Sequence, residues 1–318
     1  MKSSRRIAVA SRSFSRHPQL RQALLDRYAQ VTFNDAGDSL AGDKLVAFMR
    51  GHDAAITALE KLDKYFFAAL PEIKTIGKYG VGLDMIDLHA MKKHGVKLGW
   101  TGGVNRRAVS ELVIAFAIAL LRHVPQGHAQ VRAGGWQQLK GRQLSGRTVG
   151  IIGLGHVGRD LVELLKPFGC NIFANDIKSL PKFCARHGVK QVPLDEVLKL
   201  SDIVTLHVPL DETTRGMISP QKLDLMKSNA VLINAARGGL VDEAALRERL
   251  KDGRLAAAAF DVFDDEPPRD PELIGLPNML STPHIGGSSE EAILAMGLAA
   301  IEGLEKAGDP LEVAAGRD

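Results

Sequence analysis

The sequence predicts an α/β protein built from two doubly wound parallel-sheet domains. Three observations lead there. Short apolar runs alternate with helical stretches along nearly the whole chain. A glycine-rich turn stands between one such run and the helix after it, at residues 153–158. The length, 318 residues, exceeds what one ordinary hydrophobic core serves.

In the first third, residues 7–10, 31–33, 54–56, 73–76 and 96–98 read as strands. Residues 20–28, 44–50, 65–69 and 87–94 read as the helices between them. Strands that alternate with helices pair in parallel, because each crossover returns the chain to the same edge. Residues 105–123 begin polar and then turn apolar on nearly every side, which predicts a buried helix between domains or in a subunit interface. Gly134, Gly135 and Trp136 follow as a loop, with Trp136 as an anchor against a partner. A second α/β series starts at Arg147, with strands at 148–152, 171–175, 203–207, 230–234, 256–261 and 279–281. Its helices fall at 157–168, 194–200, 221–226 and 242–251, and residues 288–306 form a last helix. The expected domains are 1–104 completed by 288–318, and 105–287.

Composition narrows the function. Hydrophobic residues make up 45 % and charged residues 25 %, a globular rather than a disordered mixture. The formal net charge is +4, from 41 Lys+Arg against 37 Asp+Glu, and the basic side chains are scattered, so no nucleic-acid partner is expected. Cys170 and Cys184 fit no metal-ligand spacing and cannot build a disulfide scaffold, so no metal is expected and a reducing compartment is. No apolar run reaches the length of a bilayer span, and no membrane partner is expected. The segment 1–16 is rich in Ser and Arg without acids, as transit peptides are, but a strand from Ile7 leaves too short a tail. The expected location is cytoplasmic.

The glycine-rich turn reads Gly153-Leu154-Gly155-His156-Val157-Gly158, the G-x-G-x-x-G pattern, with an apolar strand before it and an amphipathic helix after it. Glycines there permit a tight turn and close approach of the backbone to a pyrophosphate at a helix N-terminus. The following strand ends at Asp176, placed to accept a ribose 2′-hydroxyl and to repel a 2′-phosphate, which favours NAD over NADP.

Three more segments put polar residues just beyond apolar strands: 234–239 with Arg237, 261–267 with Glu266, and 282–287 with His284. Ligands of open α/β sheets bind beyond the carboxyl ends of the strands, so all three can reach one crevice. Moving a hydride to or from C2 of a 2-hydroxy acid needs an acid/base on the oxygen, and histidine serves both directions. A carboxylate beside it orients the ring, and an arginine grips carboxylate and carbonyl oxygens. Taken singly, Arg237 also reads as a helix-capping surface residue, Glu266 as a solvated loop acid and His284 as a core histidine.

At these residues the chain resembles the D-isomer-specific 2-hydroxyacid dehydrogenase family, its phosphoglycerate dehydrogenase-like branch in particular. The resemblance is carried by residues 80–87, 153–158, 207–210, 235–242, 260–267 and 282–287. It implies a flavodoxin-like substrate domain and a Rossmann cofactor domain, with the active site in the cleft between them. It implies that Arg237 binds and polarises the substrate, that His284 is the acid/base and that Glu266 is its partner. Backbone amides of Tyr79, Gly80, Val81 and Gly82 are expected to meet the substrate carboxylate. His207, Pro209 and Ala235 are expected to line the NAD cleft beside Gly153, Gly155, His156, Val157, Gly158 and Asp176, with Asp261 on the nicotinamide carboxamide. It also implies a homodimer formed through the cofactor domain.

Two departures qualify the substrate. The branch carries an arginine after the third strand to meet a phosphate, and this chain has Glu60 in that stretch, with Lys61 and Lys78 nearby. Longer members append a regulatory domain, and the chain ends at Asp318, so serine feedback is not expected. A glyoxylate or hydroxypyruvate reductase shares the same three catalytic residues and is the alternative. An NAD(H)-sensing corepressor of the same fold is a more distant one, and Glu266 speaks against a formate enzyme.

Overall fold

The chain divides into two units, Met1–Asn105 with Gly287–Asp318, and Arg106–Gly286. The computed structural model describes residues 2–316. Met1, Arg317 and Asp318, which the sequence reading assigns to the first domain, lie outside the described residues.

The first unit holds five parallel strands, β1 (Ser3–Val9), β2 (Tyr28–Phe33), β3 (Ala54–Thr57), β4 (Thr75–Lys78) and β5 (Lys97–Gly99), in the order β2-β1-β3-β4-β5. This is the flavodoxin-like doubly wound order. Side chains alternate between the two faces of a strand, and the two cores follow that period. Ile7, Val9, Ala54 and Ile56 face one apolar layer, while Ala8, Ala10, Ala55 and Ile76 face the other. The helix Glu290–Lys306 covers the first of these layers with Ala300, Ile301 and Leu304. It lies so close to β5 that a Cβ on Gly99 would stand 2.1 Å from the carbonyl oxygen of Gly303.

Several boundaries in this unit differ from the sequence reading, β1 most of all, which starts at Ser3 rather than Ile7. The helix Pro18–Arg27 passes into β2 at Tyr28 with no loop, so Tyr28 is extended rather than helical. The fourth strand runs from Thr75 to Lys78 because Ile73 closes the preceding turn, its amide bonded to Leu70 O at 3.2 Å. The short helix Arg12–Arg16, too polar to show an apolar period, was not expected; Ser11 caps it by accepting from the Phe14 amide at 3.3 Å.

The second unit holds seven parallel strands: β6 (Thr148–Ile152), β7 (Asn171–Asn175), β8 (Lys190–Gln191), β9 (Ile203–Leu206), β10 (Val231–Asn234), β11 (Ala257–Phe260) and β12 (Met279–Ser281). Their order is β12-β11-β10-β9-β6-β7-β8. Numbered from β6, this is the dinucleotide-binding order 3-2-1-4-5-6 with one strand added. The direction of winding reverses between β6 and β9, which is where such sheets open a crevice at their carboxyl edge. Apolar layers lie on both faces, one built around Val149, Ile151 and Ile233, the other around Ile152, Leu206 and Leu232.

The helix Arg106–Leu121 packs within the second unit by one face. It buries Val109, Val113, Phe116, Ala117, Leu120 and Leu121 along one face only, while Glu111, Ala115 and Ile118 are exposed. Its apolar character on several sides therefore exceeds what packing within the unit uses. Beyond it, Val124, Val131, Trp136 and Leu139 are exposed as well, Trp136 to 85 %. Among the described residues no single helix is long and apolar enough to cross a membrane.

Candidate active site

The glycine-rich turn joins β6 to the helix His156–Leu165. Gly153 adopts φ +98° and donates to Asn175 O at 2.8 Å, which ties the turn to the end of β7. A Cβ on Gly153 would stand 2.5 Å from His207 O, and one on Gly158 would stand 2.0 Å from Gly153 O. Both positions are closed to any other residue. Gly155 is different: it is the N-cap, with no side-chain cap bond, and a Cβ there would meet nothing within 4 Å. Helix amides in the first turn have no intrahelical partners. Those of His156, Val157 and Gly158 thus begin at an open glycine, an arrangement that fits the pyrophosphate of a dinucleotide.

Asp176 is the first residue after β7. Its Oδ2 accepts the Leu154 amide at 2.6 Å and its Oδ1 the Lys178 amide at 2.8 Å. It braces the glycine turn while staying partly exposed, and a carboxylate with two bonds made retains lone pairs for ribose hydroxyls. At the end of β9, His207 Nε2 lies 2.9 Å from Thr205 Oγ1. Desolvation lowers the His207 pKa to about 3 even though the residue keeps part of its surface open. Pro209 beyond it is exposed and Ala235, after β10, is half-buried.

Arg237, Glu266 and His284 follow the three adjacent strands β10, β11 and β12. The turn carrying Arg237 is pinched by Asn234, whose Nδ2 donates to Arg237 O at 2.8 Å and whose Oδ1 accepts the Ala236 amide at 3.1 Å. The guanidinium donates to Ala236 O at 2.6 Å. His284 Nδ1 lies 2.8 Å from Glu266 Oε2, and both side chains are exposed. The Glu266–Pro267 peptide is cis, and Glu266 Oε1 accepts the Phe263 amide at 3.3 Å.

His284 sits in the left-handed region at φ +54°, an uncommon place for a residue with a Cβ. Asp261 holds it there. The Asp261 carboxylate accepts from Thr282 Oγ1 at 2.5 Å, the Ile285 amide at 2.7 Å and the Gly286 amide at 2.7 Å, and Asp261 O accepts the His284 amide at 2.9 Å. This aspartate is 2 % exposed. Sequence reasoning gave Asp261 a role toward the cofactor only. Its work within the chain, and that of Thr282, Thr205 and Asn234, went unseen because a polar residue at a strand end carries no mark of which neighbour it will meet.

In the first unit, Tyr79, Gly80, Val81 and Gly82 follow β4. Tyr79 is buried with its ring edge-on to Phe14, and burial raises its phenol pKa. Gly80 takes φ +114°, and Val81 O accepts from Trp100 Nε1 at 3.1 Å. Lys78 is buried and bonds Ala58 O, while Glu60 Oε2 accepts the Ala58 amide at 2.6 Å.

Residues 114–286 match the family described as D-isomer specific 2-hydroxyacid dehydrogenase, NAD binding domain. The chain belongs to this family. Within the D-2-hydroxyacid dehydrogenases it is 42 % identical over 239 residues to the D-3-phosphoglycerate dehydrogenase of Methanocaldococcus jannaschii, covering 74 % of this chain and 45 % of that protein. It spans about half the length of the phosphoglycerate dehydrogenases it matches. Among solved structures, a glyoxylate reductase from Paecilomyes thermophila aligns with TM-score 0.84 at 27 % identity, over 94 % of either chain. A D-lactate dehydrogenase with NAD+ from Lactobacillus jensenii aligns with TM-score 0.74 at 28 % identity, over 92 % of this chain and 93 % of that one. The family membership makes residues 114–286 an NAD-binding unit, and the open N-cap at Gly155 and the carboxylate of Asp176 fit that cofactor.

Proposed function

We propose that this chain is an NAD-dependent oxidoreductase, phosphoglycerate dehydrogenase-like, that moves a hydride between the nicotinamide and C2 of a small D-2-hydroxy acid or 2-oxo acid. The observation that carries the reading is the His284–Glu266 pair at 2.8 Å, on the strand ends next to the one that carries Arg237. NAD supplies the hydride acceptor, or donor in reverse. With Nδ1 engaged by Glu266, His284 has Nε2 to take the hydroxyl proton during oxidation and return it to the carbonyl oxygen during reduction. Glu266 keeps the ring oriented through the Nδ1 contact. Arg237 offers a planar fork of donors to the substrate carboxylate and carbonyl. Asp261 has three acceptor positions taken and one left for the nicotinamide carboxamide.

Asp176 supports NAD over NADP, because a carboxylate bonded to the Leu154 amide repels a ribose phosphate. The partner is a second copy of the chain; the exposed Ile118, Val124, Val131, Trp136 and Leu139 after the cofactor-unit boundary support a homodimer. A cytoplasmic setting agrees with the free thiols of Cys170 and Cys184, and the scattered charge supports neither a nucleic-acid nor a membrane partner. One observation favours the second reading, a glyoxylate or hydroxypyruvate reductase: the Glu60 carboxylate at the end of β3 opposes a phosphorylated substrate. NADH-dependent reduction of glyoxylate, pyruvate, hydroxypyruvate and phosphohydroxypyruvate tests both. Turnover of none of them would end the proposal, and a preference for the phosphorylated acid would end the second reading.

A further inference from the structure

The first unit carries a cavity of about 240 Å³ where β5, the helix Glu290–Lys306 and the short helix Pro310–Ala315 meet. Its frame is fastened at two points. Gly99 and Gly303 pack backbone to backbone, and Leu98 and Gly308 exchange amide bonds at 3.0 and 3.1 Å. The cavity is therefore preformed, and a ligand entering it need not order the chain. The lining divides by chemistry. Leu98, Trp100 and Val313 make an apolar wall, and Gly303 has no side chain to fill the space before it. Thr101, Glu302 and Lys306 supply polar groups. Glu302 and Lys306 stand one helical turn apart, with Lys306 Nζ donating to Glu302 Oε1 at 2.5 Å. Both side chains are exposed, so this pair contributes little to folding and opens at little cost. The last-turn carbonyls of the helix have no intrahelical partners and add negative potential at the same end.

We propose that this cavity binds a free α-amino acid with an apolar side chain, of the size of valine or leucine. The ligand's ammonium replaces Lys306 at the Glu302 carboxylate. Its own carboxylate takes the Lys306 ammonium and the Thr101 hydroxyl. Its side chain lies against Leu98, Trp100 and Val313. A zwitterion exchanges one ion pair for two, so it leaves neither charge unpaired. A simple amine or a simple acid satisfies only one of the two. Drug-sized ligands occupy cavities of roughly 300 Å³ or more, so the space suits a smaller molecule. Trp100 also donates its indole N–H to Val81 O at 3.1 Å, so a ligand against the indole is one bond from the loop after β4.

The inference goes beyond the proposed activity, and its test needs no turnover. The chain has two tryptophans, so Trp136→Phe leaves Trp100 as the only indole reporter. L-leucine should change its emission saturably. Isopentylamine and 4-methylpentanoate keep the apolar side chain with one charge each, and should bind about tenfold more weakly, the size of one lost charged hydrogen bond. Lys306→Met and Glu302→Gln should each weaken L-leucine by a similar factor. Calorimetric titration of the wild type with L-leucine measures the same affinity without relying on emission. Absence of saturable L-leucine binding by both methods would overturn the site. So would an affinity unchanged in Lys306→Met and Glu302→Gln, or equal binding of L-leucine and either singly charged analogue.

Discussion

The Asp261 carboxylate lies 2.7 Å from the Gly286 amide, and through this bond and its companions β11 fixes the turn that carries His284. His284, the proposed acid/base, is therefore held by a buried carboxyl group from the neighbouring strand end. Asp261→Asn keeps the size but presents an amide that cannot accept from all three donors. Hydrogen bonds to a charged group contribute about 1.5–3 kcal/mol, so unfolding in urea should show a loss of that order. Turnover should fall with it, and unchanged stability and turnover would remove Asp261 from this role.

His284→Gln leaves a polar side chain without a titrating ring. Loss of a general acid/base costs about 10²- to 10⁴-fold in turnover. Stopped-flow reduction should show that loss in kcat while NADH fluorescence titration shows unchanged affinity. Near-normal kcat would mean that another group moves the proton.

Asp176→Ala removes the brace on the Leu154 amide and the acceptor for ribose. NAD affinity should drop, and the ratio of kcat/KM for NAD to that for NADP should fall by about tenfold or more, the loss of one charged hydrogen bond. An enzyme that already prefers NADP would contradict the cofactor reading.

His207 sets an acid limb. Its pKa falls from 6.5 to about 3 in the folded chain, so between these values the unfolded state binds the extra proton. Stability then rises with pH across that window, by at most about 1.4 kcal/mol per pH unit, and is fully present above pH 6.5. His207→Gln should flatten this part of the curve of urea midpoint against pH; an acid limb unchanged from wild type would show that His207 titrates normally.

Much of this was legible from the residues alone. β6, β7 and β12 carry apolar runs bounded by glycine or polar turns, and their limits agree with the sequence reading because nothing tertiary competes there. β8 and the helix Pro181–His187 were not legible. The strand is two residues long, and the helix, with Lys182, Arg186 and His187, buries only Cys184, so neither shows a period. The segments bearing Arg237, Glu266 and His284 stood out as polar residues after apolar strands. The link between Gly239 and Asp264 did not, since it joins positions from separate strands and depends on register.

The close fit of Gly99 against Gly303 has a consequence for synthesis of the chain. The helix that covers Ile7, Val9 and Ile56 is translated only after all of Arg106–Gly286 has been synthesised. During that interval one face of the N-terminal sheet stands bare to water, while the later unit can finish folding on its own sequence. A released chain truncated before Glu290 should thus show a chaperone-binding, protease-sensitive N-terminal segment beside a resistant cofactor unit.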